Sequence, residues 1–387
     1  MRKVAPKGNH SRYAHIDAMR AFAVMIVVLA HGGLGAYLPG GSGVTIFFAI
    51  SGFIITFLVL KEGQSSHAFA VGPFYVRRAL KLFPPLLVVV VIPTIVYSFF
   101  NRVSWFDFAG EIFFYYNWIK VDGGGLVLPG TGVVWSLSIE EQFYLVFAIA
   151  WLTFVRFRHA QLLLGALSVS VVVYSFSTRF LLAASGAPES RIYYGSDTRA
   201  DAIALGVLLA IFVFRVQSGQ GRAFANSCAR WMARPAFLYA CVGLYIASLL
   251  IRDEFFRDTF RFSWQSIAAC GVIAYGFFAG KYLAGAHTSR VFYSVARLRL
   301  VNAIGLASYS IYLSHLVVAI AIGKVLEGCP SPLIFAASVI GGVASGFLIY
   351  FLVEVPVQNW RQRRAQIKVE ASRTSSVQNE ISADLDR

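Results

Sequence analysis

A cation and an imidazole share one face of the first apolar segment of the chain. Arg20 and His31 are eleven residues apart, so on a helix their side chains point the same way, about 16 Å apart along the axis. Asp17, three residues before Arg20, extends this polar stripe. Because an ionisable group at membrane depth costs about 3 kcal/mol, the stripe predicts a functional site. The alternative is an interfacial Arg20 and a His31 that only packs.

A carboxylate on the fourth apolar segment is the predicted partner of His31. Ser136, Glu140 and Tyr144 share one face at four-residue spacing, whereas the neighbouring Glu141 lies on another. This segment enters from the opposite side to the first, which brings Glu140 to a depth comparable to that of His31. We therefore predict that Glu140 faces the bundle interior, with Tyr144 beside it as a substrate-binding residue. The alternative is a pair of carboxylates that interact with the helix dipole at an N-terminus.

Two further segments carry candidate substrate-binding residues. The ninth aligns Ser308, Tyr312 and His315 on one face, and such a stripe either hydrogen-bonds a ligand or binds helices together. At the start of the sixth, Asp197 and Arg199 lie near the outer surface. They are predicted to contact the substrate, and a local salt-bridged cap is the alternative.

A basic cluster, defined as Arg77, Arg78 and Lys81, begins the third segment in the motif FYVRRALKLFPP. Prolines one turn into a span loosen the backbone, and three cations beside it suit a phosphate-bearing ligand that arrives from the cytoplasm. Positive-inside topology alone would also explain the charges. The sequence contains no Walker or GxGxxG loop, so nucleotide hydrolysis is not expected.

The composition of the chain defines a polytopic membrane protein. Of its 387 residues, 57% are hydrophobic and only 14% are charged, which is too apolar for a soluble domain. The net charge of +15 resides in short clusters between apolar runs, so membrane topology explains it better than a nucleic-acid partner does. Four scattered cysteines lack CxxC or metal-ligand spacing, and we expect neither a disulfide framework nor a metal site.

The elements that must position these residues are about ten transmembrane helices, in an all-α bundle. Basic residues collect in every second connection, which places both termini in the cytoplasm. We read the first span as retained rather than cleaved, and 105–118 as an interfacial segment. Residues 1–366 form the predicted membrane domain, and 367–387 a disordered tail. The predicted spans are 15–35, 43–60, 80–100, 134–155, 161–183, 201–215, 236–251, 263–280, 302–323 and 332–353.

Seven motifs follow one another along nearly the whole chain: DAMRAFAVMIVVLAH, GVTIFFAISGFIIT, FYVRRALKLFPP, WSLSIEEQFYL, DTRADAIALG, GLASYSIYLSH and VEVP. In this order, on a ten-span plan, they resemble acyltransferase family 3, the polytopic bacterial membrane enzymes that O-acylate sugars. The resemblance implies that Arg20 and His31 are the family's Arg and His pair on the first helix. It also implies that Arg77 and Arg78 match its arginine motif on the inner side.

The resemblance also implies the substrates. Members take an acyl group, usually acetyl, from cytoplasmic acyl-coenzyme A and place it on a carbohydrate hydroxyl. The expected acceptor is a surface polysaccharide, a lipid-linked sugar or an oligosaccharide, with the bilayer and glycan-assembly proteins as further partners. Some members carry an extra extracytoplasmic domain. The tail here is short, so we expect the membrane part or a separate partner to complete the transfer.

The mechanistic hypothesis assigns a role to each group. His31 acts as the general base or as a covalent acyl carrier, and Glu140 orients its ring as a carboxylate does in a catalytic triad. Arg20 contacts the thioester end of the donor, while the basic cluster holds the coenzyme A phosphates. The alternative function is a polytopic transporter without acyl-transfer chemistry. It would be favoured by inverted repeats, and the sequence has none that we detect.

Overall fold

The described part of the chain folds as a bundle of membrane-spanning helices. A computed structural model describes residues 13–66, 71–364 and 366, and every regular element within them is helical. Nine helices are long and apolar enough to span a bilayer, and a bent pair supplies a tenth. The prediction of an all-α bundle with about ten spans is therefore confirmed. The basic residues before Tyr13 and the polar tail 367–387 lie outside the described residues.

The ten spans are labelled in chain order. They are α1 Ala14–Leu34, α2 Gly41–Gly63, α3 Gly72–Ser98, α4 Thr131–Phe154, α5 Ala160–Ala184, α6 Glu189–Gln217, α7 Pro235–Leu250, α8 Phe260–Tyr282, α9 Arg299–Val325 and α10 Ser331–Arg364. The short helix Ala223–Met232 precedes α7 at an angle of 69°. Four more short helices lie in the connections: Trp105–Ile112, Tyr116–Val121, Glu254–Asp258 and His287–Ala296. We call the end of the bundle where α1 begins the N-side, and the opposite end the far side.

Two predicted boundaries differ from the structure in ways that affect the site. Helix α3 begins at Gly72 rather than at residue 80, because the basic cluster continues the helix instead of ending it. Helix α6 begins at Glu189 rather than at 201, with a break at Gly195. The predicted span was short because the first turns of α6 are polar. These turns pack inside the protein.

The segment predicted to be interfacial forms two short helices between α3 and α4. Ser104 caps the first by accepting a hydrogen bond from the Asp107 backbone N–H at 3.2 Å. The Asp107 carboxylate also accepts from the backbone N–H groups of Gly125 and Leu126, at 3.0 and 2.8 Å. These bonds fix the connection that leads into α4.

Glycines allow α2 and α6 to pack with their backbones in contact. A Cβ atom added at Gly52 would overlap the carbonyl oxygen of Ile203, and one added at Gly206 would overlap that of Ala49. Membrane helices associate through such small residues because lipid tails remove the hydrophobic driving force between them. The two helices form the centre of the bundle.

We expect Gly52→Ala to lower the free energy of unfolding by about 1–3 kcal/mol, because the added methyl group must displace the α6 backbone. Gly63→Ala is the matched control on the same helix, since its Cβ atom would meet no atom within 4 Å. Denaturant titration in detergent micelles measures both. Equal losses in the two variants would show that close packing at Gly52 is not what stabilises the pair.

Three π-helical turns interrupt the spans, and two of them carry ionisable residues. His31 lies in the π turn Ala30–Leu34 of α1, and Glu354 ends the π turn Tyr350–Glu354 of α10. Gly33 has a φ of +142°, a conformation that side chains with a Cβ atom rarely adopt. Single π turns occur frequently at functional sites because they re-aim side chains locally.

A buried ion pair joins α5 to α6. Arg179 donates to the two carboxylate oxygens of Asp201 at 2.9 and 2.6 Å, and the exposed fractions of the two side chains are 0% and 1%. Ser263 of α8 donates to the same carboxylate at 2.9 Å. Fork-to-fork geometry and burial make this the strongest kind of charge pair. Sequence reasoning did not single out Arg179, because its partner is 22 residues away along the chain.

Candidate active site

A cationic cavity opens between the ends of four helices at the N-side. It measures about 220 Å³ and is lined by residues from α1, α3, α9 and α10. Its charged lining consists of Asp17, Arg20, Lys81, Glu354 and Arg361. Three cations thus face two carboxylates, and the cavity can hold an anionic group. We call it the N-side cavity.

The charged groups of the N-side cavity are held by neighbouring serines. Arg20 donates from Nε to Ser308 of α9 at 3.1 Å, and Glu354 accepts from Ser310 at 2.5 Å. Lys81 interacts electrostatically with both Arg20 and Glu354, and the part of the chain that the structure describes gives it no direct ion pair. Arg361 likewise has no ion pair among the described residues, so both Lys81 and Arg361 can turn toward a bound ligand.

The basic cluster is not brought together at this cavity. Arg78 donates from Nε to Glu141 at 2.6 Å and lies 3.8 Å from a Glu140 oxygen. Its guanidinium also covers the ring of Tyr144, 3.3 Å from the centroid. These carboxylates neutralise Arg78, which is not among the residues that line the N-side cavity.

Arg77 also points elsewhere. It pairs with Glu62 at 3.3 Å on the surface, where both side chains are more than 40% exposed. Positions 77, 78 and 81 lie within an arc of about 100° on a helix, so spacing alone would let the three cations face one ligand. They diverge because Glu62 holds Arg77 and Glu141 holds Arg78. Lys81 alone of the three lines the N-side cavity.

A second cavity, which we call the far cavity, lies at the opposite end of α1. It measures about 190 Å³, and His31 and Lys120 are its ionisable lining residues apart from tyrosines. Aromatic side chains supply much of the remaining wall, namely Trp135, Tyr193, Tyr194 and Tyr312. An aromatic pocket with few polar groups is the usual form of a site for an uncharged organic ligand.

His31 contacts a second histidine behind the wall of the far cavity. Its Nδ1 lies 2.9 Å from Nε2 of His315 on α9, and the two rings are stacked with centroids 5.1 Å apart. The Nδ1 of His315 in turn lies 2.7 Å from the carbonyl oxygen of Tyr312. His315 is 1% exposed, whereas His31 faces the cavity. The two stripes predicted on the first and ninth segments thus face each other.

The predicted hydrogen bond between His31 and Glu140 is not formed. Glu140 accepts from Ser51 of α2 at 2.9 Å and interacts electrostatically with Arg78 and Arg20. The reason is depth. Glu140 is nine residues past the start of α4 at Thr131, roughly 13 Å into the bundle, whereas His31 is three residues from the far end of α1.

The other predicted substrate-binding residues are distributed over three environments. Tyr312 lines the far cavity and shares a hydrogen bond of 2.7 Å with Ser136. Asp197 pairs with Arg191 at 2.5 and 2.8 Å, outside the cavity wall. Tyr144 is buried beneath Arg78 and does not line the cavity.

Arg199 is enclosed by aromatic rings directly behind the far cavity. Its Nη2 donates to Thr45 at 3.1 Å, and its guanidinium lies 3.9 Å from the centroid of Phe262. Two of the rings it contacts, Trp135 and Tyr193, line the cavity on their other side. Neither Asp197 nor Arg199 lines the cavity as predicted. The local salt bridge considered as the alternative is formed by Asp197 with Arg191, and Arg199 takes no part in it.

Sequence reasoning missed several residues that line the two cavities. Lys120 comes from the connection before α4, Tyr193 and Tyr194 come from the first turns of α6, and Arg361 was counted only as a topological charge. The aromatic and basic residues around these positions were the available signal for the first three. Glu111, on the short helix Trp105–Ile112, was also missed. It is fully buried, and burial raises the pKa of its carboxyl to about 8.

Fold and site together define a polytopic, all-helical membrane protein with a cationic cavity at one end and a histidine-bearing aromatic cavity at the other. Among the residues that the structure describes, no group of three or more His, Cys, Asp or Glu is arranged to hold a metal. The chain belongs to acyltransferase family 3, since the family's profile, described as an acyltransferase domain, matches residues 13–351. The prediction of an acyltransferase is thus confirmed at the level of the family.

Several named proteins are similar to the chain. The peptidoglycan O-acetyltransferase OatA of Listeria monocytogenes is 28% identical over 358 residues, which cover 89% of this chain and 55% of OatA. YrhL of Bacillus subtilis, provisionally named a peptidoglycan O-acetyltransferase, is 26% identical over 97% of this chain and 60% of its own length. A provisionally named O-acetyltransferase of Staphylococcus aureus is 30% identical over 50% of this chain and 34% of its own.

The chain spans little more than half the length of OatA and YrhL. No solved structure matches it.

Proposed function

We propose that this protein is a membrane O-acyltransferase that moves an acyl group, in the first instance acetyl, from acyl-coenzyme A to a carbohydrate hydroxyl. The observation that carries the proposal is the pair of cavities at the two ends of the α1 stripe. Arg20 borders the cationic N-side cavity, and His31 borders the aromatic far cavity. Each cavity suits one of the two substrates.

The donor fits the N-side cavity by charge. Coenzyme A carries several phosphate groups, and Arg20, Lys81 and Arg361 supply cations that bind phosphate through charge-assisted hydrogen bonds. Arg20 and His31 are separated by about 16 Å along α1, a distance of the same order as the length of an extended pantetheine arm. The proposal therefore places the phosphates of one donor molecule at the N-side and its thioester beside His31.

The acceptor fits the far cavity by shape and chemistry. Aromatic rings offer flat apolar faces for a sugar, and tyrosine hydroxyls offer hydrogen bonds to its polar edge. Because two similar proteins are named for O-acetylation of peptidoglycan, a peptidoglycan-type glycan is the first acceptor to test. In this proposal the N-side is cytoplasmic, the membrane is the bacterial inner membrane, and glycan-assembly proteins deliver the acceptor.

The proposal is tested with the purified full chain in liposomes, acetyl-coenzyme A and soluble peptidoglycan fragments. We expect release of free coenzyme A that requires the glycan, together with a mass increment of one acetyl group on the glycan. Coenzyme A release without a glycan product would indicate hydrolysis. The absence of both, with several glycans, would contradict the proposal and favour the transporter.

Neutralising Lys81 in the N-side cavity tests the donor site. We expect Lys81→Ala to raise the KM for acetyl-coenzyme A about 10-fold or more, because one charge-assisted hydrogen bond to phosphate contributes about 1.5–3 kcal/mol. Arg77→Ala is the matched control four residues away, and its KM should stay unchanged since Arg77 points to the surface. The opposite pattern would place the donor outside the N-side cavity.

A further inference from the structure

We infer that His315 is a positioning residue that fixes which ring nitrogen of His31 acts as the base. The inference rests on the proposed function, in which His31 takes a proton from the acceptor hydroxyl. It goes further by assigning the reacting atom, Nε2 of His31, and by giving a buried residue on α9 a role in the reaction.

The hydrogen bonds of His315 fix the position of its proton. Its Nδ1 lies 2.7 Å from the carbonyl oxygen of Tyr312 and 3.2 Å from that of Ile311. A carbonyl oxygen only accepts hydrogen bonds, so Nδ1 of His315 carries a proton and donates it. The buried ring has no carboxylate partner among the ion pairs of the described residues, and burial favours its neutral form. Its Nε2 is therefore a bare lone pair.

The tautomer of His315 fixes the tautomer of His31. The bare Nε2 of His315 lies 2.9 Å from Nδ1 of His31, so Nδ1 of His31 must be the donor in that bond. A neutral imidazole carries one N–H, and the lone pair of His31 is then on Nε2. This edge of the ring lies near Gly40, which lines the far cavity together with His31. The basic nitrogen thus faces the space assigned to the acceptor.

The side chain of His315 is held by its surroundings. A Cβ atom built at Gly342 of α10 would lie 3.1 Å from the Cβ atom of His315, so the two helices are in close contact at this point. The ring also packs against Tyr312, with centroids 5.8 Å apart. A base held by a rigid partner keeps its tautomer and orientation through the reaction, as in carboxylate–histidine arrangements.

The proton balance of the reaction follows from this arrangement. The acceptor hydroxyl loses its proton to Nε2 of His31 as its oxygen bonds to the acyl carbon. The C–S bond of the thioester then breaks, and the same Nε2–H protonates the leaving thiolate to give free coenzyme A. In between, the imidazolium keeps donating from Nδ1 to His315, and a hydrogen bond from a charged donor is stronger than one from a neutral donor.

The tautomer is measured directly by ¹⁵N NMR of the full-length protein in liposomes, with histidine as the labelled residue. The chain has 7 histidines, and the His31 signals are those lost in His31→Asn. We expect a protonated Nδ1 and an unprotonated Nε2 in His31. A protonated Nε2 in the wild-type protein would overturn the inference, whether or not the protein transfers acyl groups.

Two substitutions of His315 separate positioning from packing. His315→Gln keeps an acceptor near the place of Nε2, whereas His315→Leu removes it. We expect the leucine variant to lower kcat about 10- to 100-fold with an unchanged KM for acetyl-coenzyme A, and the glutamine variant to recover most of the loss. Equal kcat values in the two variants would overturn the inference.

A control and a separate readout keep the two proposals apart. His15→Leu removes another buried histidine, which packs on Phe277 at the N-side, and we expect normal kcat. If His31→Ala transfers acyl groups normally, the proposed role of His31 fails. If His31→Ala is inactive and His315→Leu transfers normally, only the role of His315 fails.

Discussion

Replacement of His31 by alanine is expected to lower the rate of glycan-dependent acyl transfer by about 10²–10⁴-fold, the usual effect of losing a general base. His31 faces the far cavity, and among the described residues the hydrogen bond of its ring is with His315. In the proposed mechanism its loss removes the group that accepts the hydroxyl proton. The KM for acetyl-coenzyme A should change little, because the donor phosphates are assigned to the opposite end of α1. Steady-state release of coenzyme A measures both constants.

Acid quenching of the wild-type protein distinguishes the two roles considered for His31. If His31 acts as a general base, acid quenching of the wild-type protein with donor alone yields no acylated histidine. If it carries the acyl group covalently, mass spectrometry finds one acyl increment on the peptide that contains His31. Near-normal turnover by His31→Ala would exclude both roles. Coelution of variant and wild type in gel filtration is the control for folding.

Breaking the buried ion pair is expected to have the largest effect on stability. Arg179→Met leaves Asp201 buried without its partner, and we expect the free energy of unfolding to fall by about 3–5 kcal/mol. The double variant Arg179→Met with Asp201→Leu should recover most of this loss, since no unpaired charge remains. Denaturant titration in micelles provides the measurement.

The Arg191–Asp197 pair is the matched control for this prediction. It lies on the same side of α6, yet its side chains are 26% and 19% exposed, and pairs that water reaches contribute about 0–1 kcal/mol. Arg191→Met should therefore have a small effect. A comparable loss in both single variants, or no recovery in the double variant, would contradict the assignment of the stabilisation to burial of the pair.

The sequence was sufficient to predict the faces of α1 and α9. Helical periodicity placed Arg20 and His31 on one stripe and Ser308 and His315 on another, and the structure brings these stripes into contact at both ends. Periodicity fixes the direction in which a side chain points relative to its own helix. It does not identify the neighbouring helix, so the partner of His31 was predicted on α4 instead of α9.

The remaining errors concern depth and pairing. Glu140 was assigned to the ring of His31 and Arg78 to the coenzyme A phosphates, although the two lie 3.8 Å apart. Hydropathy indicates which residues span the membrane. It does not give the offset between neighbouring helices along their axes, and this offset decides which charged residues meet. The walls of the far cavity come partly from connections, such as that of Lys120, whose position depends on tertiary contacts.

The Arg179–Asp201 pair also bears on how the protein is inserted into the membrane. Helix α5 has only 17% of its most apolar window buried in the protein, so lipid surrounds most of it. A charge at the centre of a helix costs about 2.5–3.5 kcal/mol during translocon-mediated insertion, and a charge nearer the end costs less. Asp201 lies well inside α6, whereas Arg179 lies five residues from the end of α5. The two helices are joined by only four residues, 185–188, so they can leave the translocon as a hairpin with the charges already paired. We expect this part of the bundle to insert as a hairpin, because pairing before release spares both helices an isolated charge.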